Sequence, residues 1–233
     1  MITIKSLASG STGNCYWVTD GKTPLLLEAG IPWKRIQQGL NFKTSEIVAC
    51  LISHEHLDHC KAANAAMRCG VECYMSYGTA AKIYAGGHRV RIIKAMEQFT
   101  LGTWTVLPFE AQHDAAEPLG FLLVNQDGDK LLYATDTFYV RYRFQGLTHL
   151  MVECNYAADI LEANVRAGTV PVALKDRLLK SHFSLTNVKG FLKANDLSRV
   201  QEIWLIHLSG DNSDEARFKR EIMELTGKPV YIA

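Results

Sequence analysis

The chain predicts an α/β fold. Short apolar runs with strand character alternate with segments of helical pattern, and several of those runs stop abruptly at histidine, aspartate or glutamate. The C-terminal ends of strands are where α/β proteins build their sites. The densest such end is Ser53-His54-Glu55-His56-Leu57-Asp58-His59, directly after the apolar run Ile47 to Ile52. With 233 residues the chain can bury a sizeable core, and no linker or low-complexity stretch divides it, so a single domain over residues 1–233 is expected.

Taken in order, Ile2 to Ala8 alternates apolar and polar side chains as a half-buried strand does, and Cys15 to Val18 repeats the signal. The turn between them, Ser9 to Asn14, reads as a hairpin loop, with a phosphate-facing nest as the alternative. Pro24 to Leu27 is a third strand ending at Glu28-Ala29-Gly30, and Pro32 suits the first turn of a helix reaching about Leu40. After Leu57 an alanine-rich stretch favours a helix that Gly70 would end. Glu72 to Met75 reads as a strand, Thr79 to Ala85 as a helix and Val90 to Phe109 as short strands, leading to His113-Asp114 in a loop. Strands Phe121 to Val124 and Leu131 to Ala134 follow, the second delivering Thr135-Asp136-Thr137.

The second half is richer in helix. A strand at Leu150 to Val152 ends at Glu153-Cys154-Asn155, and helices follow over Ala157 to Ala167, over Pro171 to Leu179 and behind Ser184 as an N-cap. Ile203 to Ile206 is a buried strand ending at His207. Ser213 is expected to cap a helix to Thr226, closed by Gly227, and Pro229 to Ile232 to form an edge strand.

A formal charge of +1 excludes a grossly basic nucleic-acid coat, so any nucleic-acid contact must be local. No apolar run approaches the roughly 20 residues of a membrane helix, and Met1 to Lys5 has no signal-peptide pattern, which makes the cytoplasm the expected location and no membrane partner expected. The six cysteines lack paired two-residue spacing and read as reduced packing residues.

The chemistry is concentrated at residues 54–59. His54 and His56 leave the same face of an extended chain, with Glu55 turned away, whereas Asp58 and His59 would lie on a first helical turn whose dipole favours a carboxylate. One ion could use part of this set; two side by side could use all of it.

Together with His113, Asp136 and His207 at the ends of later segments, the motif His54-Glu55-His56-Leu57-Asp58-His59 resembles the metallo-β-lactamase fold superfamily, a four-layer αββα sandwich. That resemblance implies that His54, His56 and His113 hold one metal, that Asp58, His59 and His207 hold the other, and that Asp136 bridges them. Ser9 to Cys15, Asp136-Thr137, Glu153-Cys154-Asn155, His182-Phe183-Ser184 and His207 to Asn212 are similar to the YycJ (WalJ) family of bacterial exonucleases, and more remotely to ribonuclease Z. From ribonuclease Z the likeness extends a phosphate-binding or proton-donating role to His182, with Ser184 beside it. Two departures stand out: Glu28 occupies a strand end where the superfamily usually has aspartate, and Tyr156 follows Asn155 where this family would have histidine.

The implied enzyme is a dinuclear metal-dependent phosphodiesterase, with zinc or manganese as the two divalent ions. Asp58 or Asp136 would manage the proton of the attacking water and His182 that of the leaving oxygen. Glu28, Glu153 and Asn155 would support the ligands. Arg141 and Arg143 interleave with aromatics in Phe138 to Phe144, and residues 172–199 carry Lys175, Arg177, Lys180, Lys189, Lys193 and Arg199 against Asp176 and Asp196, features that suit nucleic acid. Single-stranded DNA or frayed ends are the expected substrate, RNA the second choice, with 5′-to-3′ direction implied by the resemblance alone. The rivals are a small-molecule hydrolase on the same fold (cyclic phosphodiesterase, lactonase or thioesterase) and an inactive metal-containing module that binds nucleic acid or a partner.

Overall fold

Strand β1 (Thr3–Ala8) pairs antiparallel with β2 (Cys15–Thr19) at the edge of a six-stranded sheet in the computed structural model, which describes residues 1–233. The sheet continues through β3 (Leu25–Leu27), β4 (Ala49–Leu51), β5 (Glu72–Met75) and β6 (Val90–Ile92), with every pairing from β3 to β6 parallel. β3 and β4 are buried at every residue, as strands enclosed on both faces must be, and this is why both read as unbroken apolar runs. Helices α1 (Trp33–Gly39), α2 (Leu57–Cys60), α3 (Ala63–Arg68) and α4 (Tyr77–Lys82) accompany this sheet, and β7 (Phe99–Leu101), β8 (Trp104–Glu110) and β9 (Leu119–Asn125) form an antiparallel meander. These elements belong to one compact unit, Met1–Glu110 with Ala115–Asp129.

The second unit comprises Ala111–Asp114 and Lys130–Ala233. Its strands β10 (Lys130–Ala134), β11 (His149–Glu153), β12 (Glu202–Ile206) and β13 (Val230–Ile232) are parallel, with β13 next to β12. Helices α5 (Ala158–Arg166), α6 (Val172–Ser181), α7 (Leu185–Ala194) and α8 (Glu215–Thr226) lie among them in the chain. No helix is long and apolar enough to cross a membrane.

Two local expectations are corrected. The helix expected from Leu57 to Gly70 is interrupted between α2 and α3. The carbonyl of Asp58 accepts from the backbone N–H of Asn14 (2.7 Å), and the N–H of Ala62 donates to Ala29 (2.7 Å), so the bond that would continue the helix is replaced by two long-range ones. The cap of α8 is Asp214, whose Oδ1 accepts from the N–H of Arg217 (2.9 Å), whereas the Ser213 hydroxyl donates to the Ser209 carbonyl. Gly227 closes the helix at φ 66°, a conformation that favours glycine.

Candidate metal centre

In the first unit, two neighbouring parallel strands deliver the ligand-type residues. β3 ends at Glu28, which is fully buried; its Oε2 accepts from the N–H of Ser53 (3.2 Å) and its Oε1 lies 3.6 Å from His59 Nδ1. The chain leaving β4 carries His54 and His56, whose Nε2 and Nδ1 atoms face each other at 3.0 Å. Ser53 Oγ, 2.9 Å from His54 Nδ1, fixes that ring and leaves Nε2 to face His56. His59 is stacked at a tilt on His54, with ring centroids 4.2 Å apart, and its Nε2 is 3.4 Å from Asp58 Oδ2.

Asn14 belongs to this arrangement and was missed as a site residue in the sequence. Its Oδ1 accepts from Gly10 N–H (2.9 Å), its Nδ2 donates to Asp58 O (3.2 Å), and the same Nδ2 lies 3.2 Å from His59 Nε2. The Ser9–Asn14 turn is thus a hairpin loop whose last residue positions α2. A buried asparagine at the end of a glycine-rich turn was the available signal.

In the second unit, Asp136 follows β10, buried and at φ 43°. Its Oδ1 lies 2.7 Å from His207 Nδ1, and its Oδ2 lies 3.5 Å from His113 Nε2, so one carboxylate serves two imidazoles through different oxygens. His113 Nδ1 is 2.9 Å from the Ser181 carbonyl, which as an acceptor requires the proton on Nδ1 and leaves Nε2 bare. Burial pushes the pKa of His113 below the ordinary imidazole value, keeping the ring in the neutral form that coordinates metal.

Ligand atoms of Asp136, Glu153, His182 and His207 lie within 4.8 Å of one another, but they divide into two roles. Glu153, at the end of β11, is saturated by the chain: Oε2 accepts from Thr137 N–H (3.0 Å) and Phe183 N–H (3.1 Å), and Oε1 lies 2.5 Å from His182 Nδ1 and 3.3 Å from His207 Nδ1. Burial alone would raise the pKa of Glu153, but the adjacent His182 and the imidazole hydrogen bonds hold it below the usual carboxylate range. Burial opposes protonation of His182, yet the charge and hydrogen bond of Glu153, with Asp136 behind, carry its pKa above the ordinary value. Glu153 therefore orients His182, and the Nε2 of His182 makes no hydrogen bond within the chain.

Asn155 ties the neighbouring strand ends together, donating from Nδ2 to His207 O (3.0 Å) while its backbone accepts from Ser209 N–H and donates to Phe183 O. Ser184 caps α7, its Oγ accepting from Asn187 N–H at 3.1 Å. Glu28, Asp136 and His207 all adopt positive φ (66°, 43° and 53°), a conformation costing about 1–3 kcal/mol in a non-glycine residue and characteristic of functional sites. Nothing in the local sequence announces it.

These donor sets fit a divalent cation. Two ligand atoms about 2.1 Å from a tetrahedral ion are roughly 3.4 Å apart. The pairs His54–His56 (3.0 Å), Asp58–His59 (3.4 Å) and His113–Asp136 (3.5 Å) match that separation, and imidazole with carboxylate suits zinc and manganese alike.

Residues 26–208 match the family model described as β-lactamase superfamily domain. The chain is 30% identical over 224 residues to the exodeoxyribonuclease WalJ of Streptococcus pneumoniae, covering 89% of this chain and 81% of that protein. It belongs to the β-lactamase superfamily, in the WalJ family. The metallo-β-lactamase fold protein YhfI of Bacillus subtilis superposes over 100% of this chain and 97% of its own, at a TM-score of 0.75 and 14% identity. Human tRNase Z, short form, does so over 100% and 96%, at 0.68 and 14%. The fold is the metallo-β-lactamase fold, α/β with mixed sheets and flanking helices, and the chain is a metal-dependent hydrolase.

Within this WalJ relative, the basic stretch singled out in the sequence is less charged than its composition suggests. Lys175 pairs with Glu162, Arg177 with Asp114 (2.7 Å) and Lys189 with Glu221, so three of the six cations are offset by acids from other segments. Lys180, Lys193 and Arg199 remain against Asp176 and Asp196, which cuts the apparent excess of four positive charges to one. Residues 138–144 alternate instead: Val140 and Phe144 are buried, whereas Tyr139, Arg141 and Arg143 are exposed, with Arg141 Nη2 donating to Gln112 Oε1 (2.9 Å) beside His113. All six cysteines are free thiols, and burial pushes Cys60 up to about 12, which suits packing rather than reactivity.

Proposed function

We propose that the chain is a dinuclear metal-dependent phosphodiesterase, an exonuclease on single-stranded DNA or frayed ends in the cytoplasm, with residues 1–233 working as one catalytic domain. In this reading His54, His56 and His113 hold one divalent cation, Asp58, His59 and His207 hold the second, and Asp136 serves both. When bound, such cations acidify water and offset charge on a phosphodiester. Asp58 accepts the proton of the attacking water at a carboxylate oxygen. His182 donates from Nε2 to the leaving oxygen, and Glu153 stabilises its imidazolium form. Asp136 orients His207 through Nδ1, and the Ser181 carbonyl sets the tautomer of His113. Six free thiols support a reducing compartment.

The observation that carries the reading is the buried Glu153–His182 pair, an imidazole oriented by a carboxylate that favours its protonated form, beside Asp136 and His207. DNA as substrate is supported by the 30% identity to an exodeoxyribonuclease. The test is cleavage of 5′-phosphorylated single strands with manganese or zinc by the native chain and by Asp136→Ala. Stepwise shortening by the native chain alone is expected. Turnover of a lactone or thioester with oligonucleotides left intact would replace this reading with a small-molecule hydrolase, and binding without cleavage would replace it with an inactive module.

A further inference from the structure

Residues 138–144 are clipped to α7 at two points. Asn187 Nδ2 donates to Phe138 O (3.2 Å), and Phe144 N–H donates to Asn195 Oδ1 (2.7 Å). Eight residues of helix span about 12 Å, whereas the six residue steps from 138 to 144 could reach roughly 20 Å if extended. The segment therefore has slack between its clips. A cavity of about 370 Å³ is lined by residues 138–143 on one side and by α7 on the other, within the size range of small-ligand sites.

The two walls differ in chemistry. One carries the exposed Tyr139 and Arg143; the other is the face of α7 bearing Thr186, Asn187, Gly190 and Ala194. Gly190 sits inside the helix, where glycine costs about 1 kcal/mol relative to alanine, yet a Cβ there would meet nothing within 4 Å. Packing does not require this glycine, and its effect is to keep the floor of the cavity open. Both walls also start beside the catalytic pair. Thr137 and Phe183, whose N–H groups donate to Glu153 Oε2, immediately precede Phe138 in one wall and line the other.

We propose that this groove is a nucleoside subsite: a base of the substrate strand, next to the phosphodiester being cut, lies on the α7 floor against Tyr139, with Arg143 on the adjoining phosphate. An aromatic, an arginine and a flat floor of small residues are the elements that hold single-stranded nucleic acid without base-specific contacts. The inference rests on the nuclease reading given above.

Steady-state kinetics on a 5′-phosphorylated oligonucleotide and on bis(4-nitrophenyl) phosphate, which has no base, tests it in the native chain, Gly190→Ala, Gly190→Leu and Arg143→Gln. Gly190→Ala should raise the melting temperature. Gly190→Leu should raise KM for the oligonucleotide by roughly tenfold, the equivalent of one lost stacking contact, with turnover of the baseless ester within about twofold of native. Arg143→Gln should raise the oligonucleotide KM severalfold and flatten its salt dependence through the lost phosphate contact. Unchanged oligonucleotide KM in Arg143→Gln, or in a folded Gly190→Leu, overturns the subsite while leaving the nuclease reading standing. A native chain that hydrolyses the baseless ester but leaves the oligonucleotide uncut overturns both.

Discussion

Glu153 Oε1 lies 2.5 Å from His182 Nδ1, and the other oxygen of the same carboxylate is held by two backbone N–H groups, so His182 has a fixed orientation and a buried counter-charge before any substrate arrives. Removing the imidazole should therefore affect the proton it carries rather than the metals. His182→Ala is expected to lower kcat on an oligonucleotide by about 10²-fold or more, as loss of a general acid does, with metal content measured by mass spectrometry equal to native. Loss of metal in this variant would show His182 to be a ligand.

Glu28 meets His59 and the Ser53 backbone from a fully buried position. Glu28→Gln keeps its shape and removes its charge. A loss of roughly 10–100-fold in metal affinity is expected, the usual effect of removing a partner that orients a ligand histidine, read by calorimetric titration of the metal-free protein. Native affinity would mean that the longer arm of glutamate has no ligand-orienting role.

At Gly30 the constraint is space. A Cβ would come within 1.7 Å of Asp58 O and 2.7 Å of Asn14 N, both backbone atoms that cannot swing aside. Gly30→Ala should destabilise the fold by about 3 kcal/mol or more, above the usual range for overpacking, and should weaken metal binding because α2 is displaced. A melting temperature within error of native would refute the close approach.

The pH dependence of stability should be visible at Asp20, which closes the β2–β3 turn. Burial raises its pKa, but the Thr103 hydroxyl and the N–H groups of Thr23 and Lys22 outweigh that and hold it below the ordinary value of 3.8. A carboxylate with a depressed folded pKa contributes stability that is fully present above its unfolded value and is lost as the pH falls through the folded one. Asp20→Asn should be less stable than native at pH 7, with the gap closing below about pH 3.8. A gap independent of pH would assign the effect to geometry rather than charge.

Much of this was legible in the sequence because it depends on neighbours a few residues apart. The apolar runs that became β4, β10 and β12 are short and end at His54, Asp136 and His207, so the strands and the residues at their ends could be read together. Ser184 and Gly227 were legible as caps for the same reason: a cap answers to the next one or two turns of backbone. The motif at residues 54–59, with His113, Asp136 and His207 following in order, carried the resemblance to the superfamily.

What the tertiary structure decided was the destination of groups whose partners are remote in the chain. The break between α2 and α3 arises because Asn14, 44 residues away, takes the Asp58 carbonyl. Half of the cations counted in residues 172–199 are matched by acids that the folded chain brings from elsewhere. Glu153 became the partner of His182 only once β11 ended beside the turn into α7. The physical reason is common to all three: hydrophobic alternation and helix propensity act over a few residues, whereas a buried polar group must be satisfied by whatever the fold places next to it.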